Sequence, residues 1–303
     1  MYNDLITIGN FTLHSYGLFI AIGIIAAYFT AEYRAKKKGM QHELVFWLVV
    51  WCLIFGFAGS KIVFFLTQVP RIIQDPAIFD LLDFLLNGWV VYGGILGGIV
   101  GGFLFCRRHK LPAWKWFDLG LASVALAQGF GRIGCFMAGC CYGVITDSPI
   151  GIVFPHLDAY PHVPTQLISA ILDFLLFFFL ILYDKKLKKN DGEGTAWYLI
   201  LYSVGRFIIE FYRGDTIRGT IGGILSTSQF ISFFTLAAGL VILINRRLAL
   251  TDEEKALLAD EDGGEAAEDA EAAGEEAMEE IEAAEEAEAA AEKAAEAAED
   301  SEA

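Results

Sequence analysis

Two arginines stand where the surrounding residues belong in lipid or in packed helix. Arg132 lies in Gly131-Arg132-Ile133-Gly134-Cys135-Phe136, at the close of one long apolar segment. Arg206 lies in Gly205-Arg206-Phe207-Ile208-Ile209-Glu210, inside another. Taking a guanidinium into hydrocarbon costs a few kcal/mol on insertion scales, so such a residue faces a polar cavity and a partner. Glycine on the N-terminal side of each arginine leaves room for a planar, bidentate anion to reach both. In a membrane the anion of that shape is a phospholipid phosphate. The competing reading is an internal ion pair, because Glu210 is one helical turn from Arg206, whereas Arg132 has no acid within a turn.

Other side chains are open to two readings. Tyr16 and Tyr202 sit near the ends of apolar runs, where tyrosines commonly anchor the interface. Tyr202 also precedes Arg206 by one turn on the same helical face, so its phenol could steer the guanidinium or a ligand oxygen. Cys135, Cys140 and Cys141 are close in sequence, but their spacing matches no common zinc pattern and no histidine lies at ligand spacing. A disulfide, or plain packing in a Gly-rich turn, is the expectation there, and no metal is assigned. Thiol catalysis would draw its base from His156 or His162. His14 reads as a solvated interfacial imidazole.

The elements that must position these groups are apolar. The 303-residue chain is 55% hydrophobic with a positive mean hydropathy, which belongs to the membrane class. Its net charge of −16 averages two different objects. Residues 252–303 hold 23 acidic and 2 basic side chains, leaving 15 acidic and 20 basic ones in residues 1–251. Bases cluster only in short loops between apolar runs, which excludes a nucleic-acid role. No cleavable signal peptide is expected.

Seven segments are long enough to span about 30 Å of hydrocarbon, near 14–33, 43–67, 89–106, 117–134, 165–183, 196–212 and 224–245. The third is so rich in glycine that part of it is expected to be broken helix. Lys/Arg clusters at 34–38, 107–115, 185–189 and 246–247 alternate with Lys/Arg-poor loops. The positive-inside rule then puts the N-terminus outside and the C-terminus in the cytoplasm. The fold class expected is an all-α integral membrane protein of seven helices over residues 1–250. Residues 251–303 follow as a solvated Glu/Ala-rich tail, disordered or transiently helical. Residues 77–87 read as a short interfacial helix, and 135–164 as an outer loop able to cover a site.

These motifs resemble the prolipoprotein diacylglyceryl transferases, bacterial inner-membrane enzymes. The resemblance runs from about Leu13 to Arg247. It rests on Leu13-His14-Ser15-Tyr16-Gly17, Val91-Tyr92-Gly93-Gly94, Gly131-Arg132-Ile133-Gly134 through Gly143, Pro164-Thr165-Gln166-Leu167, and Tyr202 to Phe211. It implies a multi-pass plasma-membrane enzyme without cofactor. Such an enzyme moves a diacylglyceryl group from phosphatidylglycerol to the lipobox cysteine of a lipoprotein signal peptide, leaving glycerol phosphate. By that resemblance Arg132 binds the lipid, with Gly134, Cys135, Gly143, Gly93, Gly94, Gln166 and Glu210 as further substrate-binding positions. Arg206 is needed for the reaction and Tyr16 is functional; Tyr92 and Tyr202 are further catalytic candidates read from this sequence's own residues.

Three positions depart from the family's pattern. Tyr92 stands where the family has the histidine proposed as proton acceptor. Cys135 stands for an asparagine and Cys140 for an acid. A phenol is a poor base at neutral pH unless a cation lowers its pKa. Besides the transferase reading there stand a non-catalytic lipid-binding or lipid-moving protein and a related transferase with another acceptor.

Overall fold

The computed structural model describes residues 4–8, 11–75, 84, 87–155, 157–214, 220–221 and 225–248. Seven helices run through them: α1 (Ser15–Lys37), α2 (Glu43–Gln74), α3 (Val91–Arg108), α4 (Ala113–Ala138), α5 (Thr165–Lys186), α6 (Glu193–Glu210) and α7 (Thr227–Leu248). Each coincides with one of the seven apolar segments. Five of them, α1, α2, α4, α5 and α7, are long and apolar enough to cross a membrane, while α3 and α6 have 18 residues each. Large apolar side chains such as Phe29, Leu66, Phe178 and Phe233 point outward from these helices, as suits a lipid solvent.

The architecture is all-helical, as expected, with short antiparallel hairpins that join β1 (Asp4–Ile8) to β2 (Phe11–His14), β3 (Ile152–Val153) to β4 (Pro161–His162), and β5 (Thr220–Ile221) to β6 (Leu225–Ser226) at one end of the bundle. Two features differ from the sequence expectations. The glycine-rich third segment is unbroken helix. Its glycines serve close approach instead of bending: a Cβ on Gly93 would lie 2.4 Å from the Gly59 carbonyl oxygen, and one on Gly97 2.1 Å from that of Phe55. α2 and α3 are thereby held backbone against backbone. The loop expected over 135–164 begins only after Ala138, where Gly139 ends α4 in the left-handed conformation (φ 70°). The expected interfacial helix at 77–87 falls, but for Phe84 and Asn87, outside the described residues, as does the acidic tail.

α4 is the central helix, packed on α1, α5 and α6. The end carrying its N-terminus is cross-tied by charge. Arg34 donates to the Leu119 carbonyl (2.8 Å) and to Asp184 (2.9 Å), which also accepts from Lys38 (2.5 Å). Asp118, 4% exposed, accepts from the Gly192 and Thr195 amides and the Thr195 hydroxyl, each at 2.7 Å, and pairs with Lys188 at 2.8 Å. Tyr183 donates to Glu193 in the same layer. The Arg246 guanidinium lies 4.4 Å from the Trp114 ring centroid. The opposite end holds the candidate site.

Candidate active site

Arg132 rises from the penultimate turns of α4, and open space lies beside Gly131 where a Cβ would sit. Arg132 makes no hydrogen bond or ion pair among the described residues. The group that answers its charge is Asp173 on α5, 5% exposed and within electrostatic reach of both Arg132 and Arg206. Sequence reading missed Asp173 because only acids within a turn were weighed. The available signal was a lone carboxylate eight residues into the apolar run of α5. Tyr202 stacks on Tyr198 with centroids 5.7 Å apart and planes 3° from parallel, and it acts electrostatically on both arginines.

Arg206 does pair with Glu210, Nη2 to Oε2 at 2.7 Å, although the contact lacks the alignment of a hydrogen bond. The same nitrogen donates to the Ser228 hydroxyl at 2.8 Å. Its Nη1 is buried with no hydrogen-bond partner among the described residues. Arg213, which sequence reading counted only as a loop charge, approaches Glu210 to 4.0 Å and is within electrostatic reach of Arg132 and Arg206. Among the described residues, three guanidinium groups and two carboxylates gather here.

The loop after α4 is tied over this cluster. Thr165 donates to the Cys141 carbonyl and Gln166 Nε2 to the Cys140 carbonyl, both at 2.7 Å, while the buried Gln166 Oε1 has no partner among the described residues. Gly143 pairs with Arg213 across an isolated bridge, and its amide donates to the Val163 carbonyl at 2.9 Å. A Cβ there would lie 2.5 Å from the Tyr212 carbonyl oxygen and 2.8 Å from Val163, so only glycine lets these three segments close. His162 is committed to the Gly143 carbonyl (2.9 Å) and to Asp158 (3.0 Å). That leaves it poorly placed as a thiol's base. His156 lies outside the described residues.

Cys135, Cys140 and Cys141 come together beneath the loop. No disulfide joins them, and their Sγ atoms all lie within 4.8 Å of one another. Hydrogen bonding from the Cys135 and Cys140 thiols, and then from the Arg213 guanidinium, pushes the Cys141 thiol well below the ordinary range. Tyr16, 44% exposed at the start of α1, is within electrostatic reach of all three thiols and of Arg132. Gly134 lets α1 approach, its absent Cβ being only 3.1 Å from Phe19 Cβ and 3.3 Å from the Tyr16 carbonyl oxygen.

Tyr92, Gly93 and Gly94 are the candidates not gathered here. Tyr92 opens α3 and is 39% exposed; among the described residues it makes no hydrogen bond or ion pair with either arginine. Gly93 and Gly94 face α2.

Helices fit to cross a membrane, closed at one end over a buried guanidinium cluster, define a polytopic membrane protein. The family model described as prolipoprotein diacylglyceryl transferase matches residues 3–245. Among curated relatives, the phosphatidylglycerol--prolipoprotein diacylglyceryl transferase of Clostridium tetani is 44% identical over 234 residues, 76% of this chain and 92% of that protein. One of the same name (numbered 2) from Clostridium perfringens is 42% identical over 76% of this chain and 90% of its own length. Another from Staphylococcus carnosus is 32% identical over 79% and 88%. The chain belongs to the prolipoprotein diacylglyceryl transferase family.

Proposed function

We propose that this enzyme transfers the diacylglyceryl group of phosphatidylglycerol to the thiol of a prolipoprotein signal-peptide cysteine and releases glycerol phosphate. The observation that carries the reading is the buried arginine pair: among the described residues Arg132 makes no hydrogen bond or ion pair, and the buried Arg206 Nη1 has no hydrogen-bond partner. A phosphodiester entering laterally from the bilayer supplies an anion for both. Arg132 and Arg206 grip its phosphate, with Tyr202 and Glu210 orienting them. Gln166 Oε1 accepts from a hydroxyl of the lipid's glycerol headgroup. As the C–O bond breaks, negative charge grows on the departing phosphate oxygen, where fixed guanidinium groups stabilise it most. The acceptor sulfur attacks the lipid's glycerol carbon beside Tyr16 and under the loop held by Gly143. Tyr92 or a water chain takes the thiol proton.

Seven spans, an outer N-terminus and a cytoplasmic tail in a bacterial plasma membrane complete the proposal, on the alternation of basic loops. Labelling a cysteine introduced near Asp158 in intact cells tests the orientation; protection there with labelling near Lys37 overturns it. The function is tested by reconstituting the chain with phosphatidylglycerol and a lipobox peptide and measuring glycerol phosphate. Wild-type rates in both Arg132→Ala and Arg206→Ala would sink it. The position of Tyr92, away from the arginines, favours one second reading: a lipid-binding protein that lacks turnover. Phosphatidylglycerol binding without release of glycerol phosphate to any thiol peptide would establish that alternative.

A further inference from the structure

The three clustered thiols have no role in the reading above, and the geometry that assembles them is specific. Cys135 occupies the last turn of α4. Gly139 then turns the chain back in the left-handed conformation, its amide donating to the Phe136 carbonyl (3.0 Å) and the Cys140 amide to that of Cys135 (3.1 Å). Cys141 follows at φ 64°, a backbone conformation that residues with a Cβ rarely adopt. Two successive departures from ordinary backbone thus return Cys140 and Cys141 to Cys135. Spacing along the chain hides this, which is why it matches no familiar metal pattern.

The resulting Sγ separations, all within 4.8 Å, approach those of a zinc site, where Zn–S near 2.3 Å and a tetrahedral angle put sulfurs about 3.8 Å apart. Small side-chain rotations close the difference. The cluster also sits at the C-terminal end of α4, where the helix dipole favours a cation and disfavours uncompensated thiolates. Three thiolates and a divalent ion carry one net negative charge, which the neighbouring Arg213 and Arg132 balance.

We propose that Cys135, Cys140 and Cys141 form a three-thiolate site for an ion of the zinc class, with the fourth position open to the acceptor thiol. Closed structural sites use four protein ligands; three protein ligands leave the open position of a reactive one. The inference rests on the transferase reading and supplies what Tyr92 does not. Coordination takes the acceptor S–H proton to solvent and holds the sulfur as thiolate at neutral pH. The sulfur lone pair then forms the C–S bond to the lipid's glycerol carbon. The C–O bond breaks with its electron pair going to the phosphate oxygen, and glycerol phosphate leaves. Tyr16, within reach of the thiols and of Arg132, stands between the two halves of the reaction.

The test uses the full chain, purified in detergent and kept reduced. Titration with Co²⁺ should give one equivalent bound with a thiolate-to-metal charge-transfer band. Cys135→Ser and Cys141→Ser should each weaken binding roughly tenfold or more. Because serine could disturb the turn, X-ray absorption on the zinc-loaded wild type provides a measurement that needs no variant. It should count three sulfurs alone, four with a lipobox cysteine peptide, and three with its serine analogue. Reduced protein that takes no zinc, a shell that does not change with the peptide, or a disulfide among the three in protein isolated from cells would each overturn the site. Full transfer by zinc-free protein removes this inference and leaves the transferase reading intact. A four-sulfur shell without release of glycerol phosphate does the reverse.

Discussion

The two ends of the helix bundle both bury charge, and they do so in opposite ways. At the end with Arg34, Asp118 and Asp184, these three and Lys188 all have charged protein partners, and Asp118 alone accepts three hydrogen bonds from the start of α6 and meets Lys188. At the other end, among the described residues, Arg132 is answered only across space by Asp173, Arg206 keeps an unpartnered buried nitrogen, and Gln166 an unpartnered buried oxygen. A buried group left unpaired is costly. On the proposed reading the first end is architecture and the second is a receptor for an anion.

That contrast can be broken by experiment. Arg132→Ala should reduce phosphatidylglycerol turnover in proteoliposomes on the order of 10²-fold or more, while the variant remains as thermally stable as wild type. Asp118→Ala should do the opposite. It strands the Lys188 ammonium and three donors, so thermal unfolding in detergent should show a loss of about 3 kcal/mol or more, with turnover per folded molecule unchanged. A slower folded fraction would mean that the ends are not separable. Arg206→Lys keeps the charge and loses the guanidinium fork, and should cost roughly tenfold in turnover. Tyr92→Phe should cost only a few-fold if water can take the proton, and a complete loss would restore Tyr92 as the base. Deleting residues 252–303 should change neither melting nor turnover, since a segment without an apolar face adds little burial.

Much of the fold was legible because a bilayer demands apolar runs of a set length, and the seven runs became seven helices. The error over α3 came from treating glycine as a helix breaker. Against a second helix its missing Cβ is filled by a neighbouring carbonyl oxygen, and the helix stays whole. In the site, Arg132, Arg206, Tyr202 and Gly143 announced themselves by type and spacing. Asp173 did not, because its partner lies 41 positions away in sequence and only the packing of α5 on α4 joins them. The thiol cluster was hidden for a local reason: its shape depends on two left-handed residues, and only Gly139 advertises one.

Along α4, Asp118 and Arg132 are fourteen residues apart, a rise of roughly 21 Å. A hydrocarbon layer is about 30 Å thick. The two charged layers therefore cannot both lie at its faces. With the cross-tied end at one face, the arginines stand well inside the other. On the proposed reading a headgroup sinks to meet them and sheds much of its hydration on the way. Water, the commonest competitor for an activated phosphodiester, is then scarce where the bond is broken. The depth of a guanidinium pair thus becomes a rule of chemoselectivity, in which the lipid is handed to sulfur and not hydrolysed.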